Sequence, residues 1–328
     1  MQLPAFRQSV ISAVQAATHA RPLARLHLLY APELADPLSL RESTARETAL
    51  MHPPKPWRLR GDQLPRVITL DCRQVAAFLL ETDPGLDDPL FEASISRAHA
   101  EVFGGAALDP TLRNDDPHAT RRGVCGWIVS SDSAQAIAHR IGRFSHQHRN
   151  GPRWLRWHDP DRFEHIWPTL DAHWREVVLG DDATWVAPGA QGEIVCYASP
   201  AASEIASAPT DDKTNAEQLT PAHWAVIDHV PIVNDLRERW RGMLAEDGKP
   251  LPHDAIARLH SLVAQAREHG FDGGDLAIYV LTAVQLRPGA TRSAPFTSML
   301  QRLRAEGGDL RHGLHQLDEP FWNHYALP

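Results

Sequence analysis

The alternation of apolar and polar positions changes character along the chain. Up to about residue 198, compact apolar runs alternate with stretches of helical period; beyond about 220 the pattern is helical. Residues 66–71 (Arg-Val-Ile-Thr-Leu-Asp) and 124–130 (Val-Cys-Gly-Trp-Ile-Val-Ser) predict buried strands, as do 24–30 and 192–198. Helices are predicted over 8–20, 72–81 and 88–103. Another starts near Asp132 or Ser133, with Gln135 placed as in a capping box and Ile137, Ile141 and Phe144 one helical turn apart. Residues 31–62 read as a long surface loop carrying a short helix around 40–50, and 105–122 as a polar loop.

The stretch from Arg153 to Leu170 is the most specific. It predicts a strand over 153–158, with Trp154, Arg156 and His158 facing one way and Leu155 and Trp157 the other. Asp159 then supplies an N-cap and Pro160 the first helical position. The following helix, 160–179, places Phe163, Ile166, Trp167, Leu170, Trp174 and Val177 on one face. Strands alternating with helices predict an α/β lobe over 1–199, a mixed sheet flanked by helices. Residues 200–219 hold few large apolar side chains and read as a linker. Residues 220–328 predict an all-α lobe. Its elements are helices through about 246 broken or kinked at Pro231, 254–268 stopped by Gly270, 276–286 capped by Asp275, a turn at Arg287-Pro-Gly289, and a helix over 295–304.

Composition narrows the class. The 328 residues carry a formal charge of −8, against the basic surface of a nucleic-acid binder. No apolar run reaches the roughly 18–20 residues that span a bilayer, and the N-terminus lacks the pattern of a secretory signal. The three cysteines, Cys72, Cys125 and Cys196, are scattered in apolar contexts and read as buried, reduced thiols of a cytoplasmic protein.

Candidate chemistry is sparse. The 19 histidines give three loose sets: His146 with His148, His165 with His173, and His312 with His315 near Asp309. None has the spacing of a known zinc motif, and solvated histidines account for them. No nucleophile elbow, Cys-x-x-Cys or phosphate loop is present. Arg156 and Asp159 form the one charged pair at a predicted strand end, and capping of the helix is sufficient reason for the aspartate. Five tryptophans, 154, 157, 167, 174 and 185, fall in one strand-helix-loop unit. Trp167 and Trp174 belong on a buried stripe, while Trp127, Trp154 and Trp157 are candidates for contacting a partner.

The string Leu155-Arg-Trp-His-Asp-Pro160, the amphipathic helix after it and Leu179-Gly180…Trp185 resemble the type VI secretion effector adaptor (chaperone) family. The strand with Gly126-Trp127-Ile128 and the helix at 132–149 fit the same layout, and Ala266-Arg-Glu-His-Gly-Phe271…Tyr279 resembles the helix pair such adaptors carry later. Asp161 stands where that family has Arg, and Gly180-Asp181 replaces a Gly-Pro pair. The resemblance implies a bacterial, cytoplasmic, non-enzymatic protein without cofactor or metal. It would bind a cognate effector and help load it onto the VgrG or PAAR spike. Arg156, Asp159, Pro160, Gly180 and Trp185 would then define the fold rather than perform chemistry. Two other readings stay open: a metal-dependent hydrolase using His312, His315 and Asp309, and an immunity protein that neutralises a toxin.

Overall fold

The computed structural model describes residues 1–21, 23–31, 46–52, 64–70, 88–103, 123–199, 218–306 and 308–327. The predicted helix at 72–81, the loop at 105–122, most of the 31–62 loop, Cys72 and residues 200–217 of the predicted linker lie outside these residues. The chain divides into two compact units, Met1–His223 and Trp224–Pro328. The division thus falls just past the predicted linker. Residues 219–223 go with the first unit because Leu219 N–H donates to Gln147 Oε1 (3.1 Å) and His223 Nε2 meets the Thr169 carbonyl (3.2 Å).

In the first unit the strands are β1 (Arg25–Tyr30), β2 (Thr48–Leu50), β3 (Arg66–Thr69), β4 (Val124–Ser130), β5 (His146–His148), β6 (Pro152–Trp154), β7 (Ala183–Pro188) and β8 (Ile194–Ala198). The helices are α1 (Leu3–His19), α2 (Pro89–Phe103), α3 (Ala134–Ser145), α4 (Pro160–Ile166) and α5 (Ala172–Leu179). Six strands form one sheet in the order β2-β3-β1-β4-β7-β8, and β5 pairs with β6 apart from it. The α/β class is as predicted, but every described pairing is antiparallel rather than mixed. The reason lies in the long connection from β4 to β7. Ser130, the end of β4, stands opposite Ala183, the start of β7. The helices between them therefore make a closed excursion over one face, not a crossover to the far end of the sheet.

Both faces of the sheet are covered. Leu26, Leu28 and Tyr30 of β1 pack with Trp127 and Val129 of β4 against Phe6 and Val10 of α1 and Phe91 and Ile95 of α2. On the other face α3 lies against β2 and β3, and α5 against β7. Burial on both faces explains why all seven positions of β4 are buried without alternation. It also explains why β7 (Ala-Thr-Trp-Val-Ala-Pro), buried at every position, has no period for a sequence reading to find. Part of the helix expected at 40–50 is instead the edge strand β2, and Cys196 is exposed on β8 where a buried thiol was expected.

Two local departures bear on the candidate site. The predicted strand 153–158 ends at Trp154; it is the second arm of the β5–β6 hairpin, not a central strand. Asn150 (φ 53) and Gly151 (φ 114) turn that hairpin in backbone conformations that Asn and Gly adopt most readily. The predicted helix 160–179 is two helices. A 3-10 turn at Trp167–Thr169 containing Pro168 ends α4, and the Asp171 carboxylate, accepting from Trp174 N–H (2.9 Å), restarts the chain as α5.

The second unit is helical, as predicted: α6 (Pro221–Glu246), whose first three residues belong to the first unit, then α7 (Ala255–Glu268), α8 (Gly273–Val284), α9 (Ala294–Glu306), α10 (Leu310–His315) and α11 (Glu319–Tyr325). Pro231 sits inside α6 without ending it. The core gathers Leu236, Trp240, Leu259, Val263, Tyr279 and Phe296. Asp275 does not cap α8, which begins two residues earlier; its carboxylate accepts from Leu310 N–H (3.4 Å). Arg258 reaches the carbonyls of Ala283, Val284 and Leu286, each at 3.3 Å, and satisfies the C-terminal end of α8. Among the described residues no helix is long and apolar enough to cross a membrane.

Candidate functional site

Of the residues singled out in the sequence, Asp159 and Trp185 lie on the α3–α5 side of the sheet, while Trp127 faces α1 and α2. Asp159 is buried, caps α4 by accepting from Asp161 N–H (3.1 Å), and lies 3.7 Å from the Arg162 guanidinium. Burial, then the neighbouring Asp161 carboxylate, raises its pKa, opposed by Arg156, Arg162 and His158. Pro160 follows in the first helical position, as its fixed φ favours. The corner is a dense polar knot: His158, Asp159, Asp161 and His165 are all buried.

Gly180 and Trp185 hold the other end of the motif. Gly180 ends α5 at φ 84, and a Cβ there would stand 2.9 Å from Cζ of Arg140, whose guanidinium pairs with Asp132. Trp185 is fully buried, donates from Nε1 to the Cys125 carbonyl (3.1 Å), and packs on Phe163 with ring centroids 4.5 Å apart. That bond depends on a bulge. Leu29 pairs with Gly126 and Tyr30 with Val124, so Cys125 is the extra residue. Gly126 adopts φ 130, and a Cβ there would strike Val186 O and approach Trp185 Nε1 to 2.6 Å, so the position requires glycine.

The tryptophans separate by burial. Trp127, proposed from sequence as a partner contact, is a core residue; its Nε1 donates to Ser94 Oγ (2.9 Å) against α2. Trp157 is likewise buried, 5.4 Å from the ring of Phe144. Neither can present itself at a surface, because the covered sheet and α3 enclose them. Trp154, on the hairpin, is half-buried and keeps a face to solvent.

The histidine sets do not converge on a metal geometry. The rings of His146 and His148 lie 4.8 Å apart, His165 is buried while His173 is exposed, and Asp309 caps α10 by accepting from His312 N–H (2.7 Å). Among the described residues no group of three or more His, Cys, Asp or Glu is placed to hold a metal ion.

Sequence reasoning missed a groove. Two adjoining depressions, sharing Arg143 and Val177, run between α3, α5 and the base of the hairpin. Phe144 and Trp174 form an aromatic floor, their rings 5.6 Å apart. The rim carries His139, Arg143, His146 and His148, with Glu176 and Asp181 at the α5 end. Burial and the neighbouring His148 lower the pKa of His146. A signal was present: the 26 residues from Ser133 to His158 hold five arginines, four histidines and no acidic residue. A second depression, in the helical unit, is lined by Met243, Ile278, Leu281, Leu314 and Trp322 with Arg311 at its edge. The chain matches no family model, no curated protein and no solved structure.

Proposed function

We propose that the chain is a non-enzymatic adaptor of the type VI secretion effector family, a cytoplasmic protein that binds a cognate effector and assists its loading onto the VgrG or PAAR spike. One observation carries the reading. Three residues of the resemblance, Asp159, Gly180 and Trp185, each have an identifiable structural role. Asp159 caps a helix, Gly180 provides a turn over Arg140, and Trp185 ties β7 to the β4 bulge.

Co-expression with the effector encoded beside it tests the proposal. The expected result is a complex that survives size-exclusion chromatography and raises the unfolding temperature of at least one partner. Two proteins that purify separately, with neither stabilised by the other, would refute it. An immunity protein would instead inhibit the toxin's activity in a purified assay. A hydrolase using His312, His315 and Asp309 would retain a stoichiometric transition metal that His312→Ala removes.

A further inference from the structure

We propose that β8 is an interface between two copies of this chain, its outer edge pairing antiparallel with the same strand across a two-fold axis at Cys196. The inference goes beyond the adaptor reading and does not depend on it. The strand order puts β2 and β8 at the two edges of the sheet. β2 is three residues long with Glu47 beside it, features that discourage pairing with a further strand. β8, Ile-Val-Cys-Tyr-Ala, is five residues long and has no charge, proline or bulge to guard its edge. The direction of its backbone groups follows from the ladder. Ser199 N–H donates to the Ala183 carbonyl (2.8 Å), and Gly189 N–H to the Glu193 carbonyl (2.7 Å). Across the unbroken register of β7 and β8, residues 193, 195, 197 and 199 therefore turn their backbone groups toward β7. Ile194, Cys196 and Ala198 turn theirs outward, where no backbone group among the described residues meets them, and Cys196 and Ala198 are exposed.

The outward groups fit a second copy because they are symmetric about Cys196. In a two-fold pairing centred there, Cys196 stands opposite Cys196 and Ile194 opposite Ala198, so each outward N–H meets an outward carbonyl. Val195 then faces Tyr197 and Glu193 faces Ser199, so no like charges meet. The neighbouring registers fail. Centring on Val195 sets Ala198 against Gly192, whose N–H already bonds the Gly189 carbonyl (3.1 Å). Centring on Tyr197 sets Ile194 against Pro200, which has no N–H. An extended segment of another protein could use the same hydrogen bonds, but β8 carries no charge that would select it over the strand's own copy. Pairing through one short strand is a small contact, so a dissociation constant on the order of 100 μM is expected.

The test is sedimentation velocity on the full chain from roughly 5 to 500 μM, where the mass should rise from monomer toward dimer. Hydrogen exchange on the same samples reads the edge directly. The amides of Ile194, Cys196 and Ala198 should exchange fast when dilute and slowly when concentrated, while those of Val195 and Tyr197 stay slow throughout. Cys196→Lys sets like charges opposite each other and should weaken association by about tenfold or more, as should Cys196→Glu. An equimolar mixture of the two variants should restore association, which misfolded variants would not do. A short bismaleimide should join unaltered chains through Cys196. Cys196→Ser should remove that cross-link and leave the association intact. A chain that stays monomeric over the whole range, or outward amides that exchange slowly at every concentration, overturns the inference. So does association indifferent to Cys196→Lys, or a mixture no more dimeric than either variant alone. None of these results bears on the adaptor reading, which is decided by the effector complex.

Discussion

Replacing Gly126 with Ala perturbs the point where the bulge in β4 meets β7. Gly126 lies at φ 130, where an L side chain is strained, and a Cβ there would strike the Val186 carbonyl oxygen and stand 2.6 Å from Trp185 Nε1. Holding a non-glycine residue in such a region costs about 1–3 kcal/mol. The backbone of β7 cannot yield easily, since Trp127 to Ser130 of β4 pair with 183–186 on that strand. Moving the indole alone cannot relieve the clash with the Val186 carbonyl, so β4 and β7 must part locally, and the indole bond to the Cys125 carbonyl weakens with them, a loss of about 1–3 kcal/mol for a buried donor left without a partner. The two terms overlap, because any movement that relieves the clash also breaks the bond. A net loss of about 3–4 kcal/mol is expected. Urea unfolding followed by tryptophan fluorescence would report it as a lower midpoint with an unchanged slope. A second variant, Trp185→Phe, removes the donor and part of the ring without touching the backbone. If Gly126→Ala costs less than about 1 kcal/mol, the backbone there is compliant and the account of the bulge is wrong.

Three further outcomes are expected. Burial pushes His27 down from 6.5 to about 4, against the opposing Glu47 carboxylate. The unfolded chain therefore takes up the proton first. The contribution is complete above about pH 6.5 and is lost as the pH falls toward 4, amounting to about 3 kcal/mol. His27→Gln should flatten that part of the pH–stability curve, and an imidazole titrating above pH 6 by NMR would contradict it. Asp159→Ala should cost about 0.5–2 kcal/mol through the lost cap, and Asp159→Asn markedly less. The amide still accepts from Asp161 N–H and relieves a buried charge whose pKa is raised by burial and Asp161. Equal losses in chemical denaturation would show that the charge itself is needed. Gly180→Ala should cost about 1–3 kcal/mol from its backbone conformation (φ 84, ψ −171) alone, because the Arg140 side chain it meets is able to swing aside. The same loss is expected in an Arg140→Ala background; relief by that second change would assign the cost to the clash.

Helices with one face toward water were legible from spacing, as the stripe Ile137, Ile141 and Phe144 of α3 shows. The buried strands β3 and β4 were legible from compact runs of β-branched and aromatic residues. Legibility failed where a buried strand lacks such a run or punctuation is subtle. The residues of β7 are enclosed on both sides, so neither period appears, and two of the six are alanine. Pro168 and Asp171 both marked a break between α4 and α5, but the apolar stripe running through 163–177 masked it. Asn150-Gly151 was a readable turn signal that would have moved Trp154 out of the central sheet. The corner at Arg156–Pro160 was read correctly as a cap because that chemistry is local. Which tryptophans stay in contact with solvent was not legible. Trp127 and Trp157 are buried by α2 and α3, which pack on them from distant positions in the sequence.

The closed excursion from Ser130 to Ala183 gives the first unit a modular quality. Because the two strand ends it joins are already partners, the sheet ladder would remain continuous if the intervening 131–182 were exchanged for a tight turn. The α3, hairpin, α4 and α5 segment is thus topologically an excursion between two neighbouring strands, although it supplies the cover for one face of the sheet. It can be rebuilt, lengthened or loosened without rethreading the strands beneath. The groove and the polar corner both lie on it. Changes in that excursion need not disturb the register of the strands beneath it.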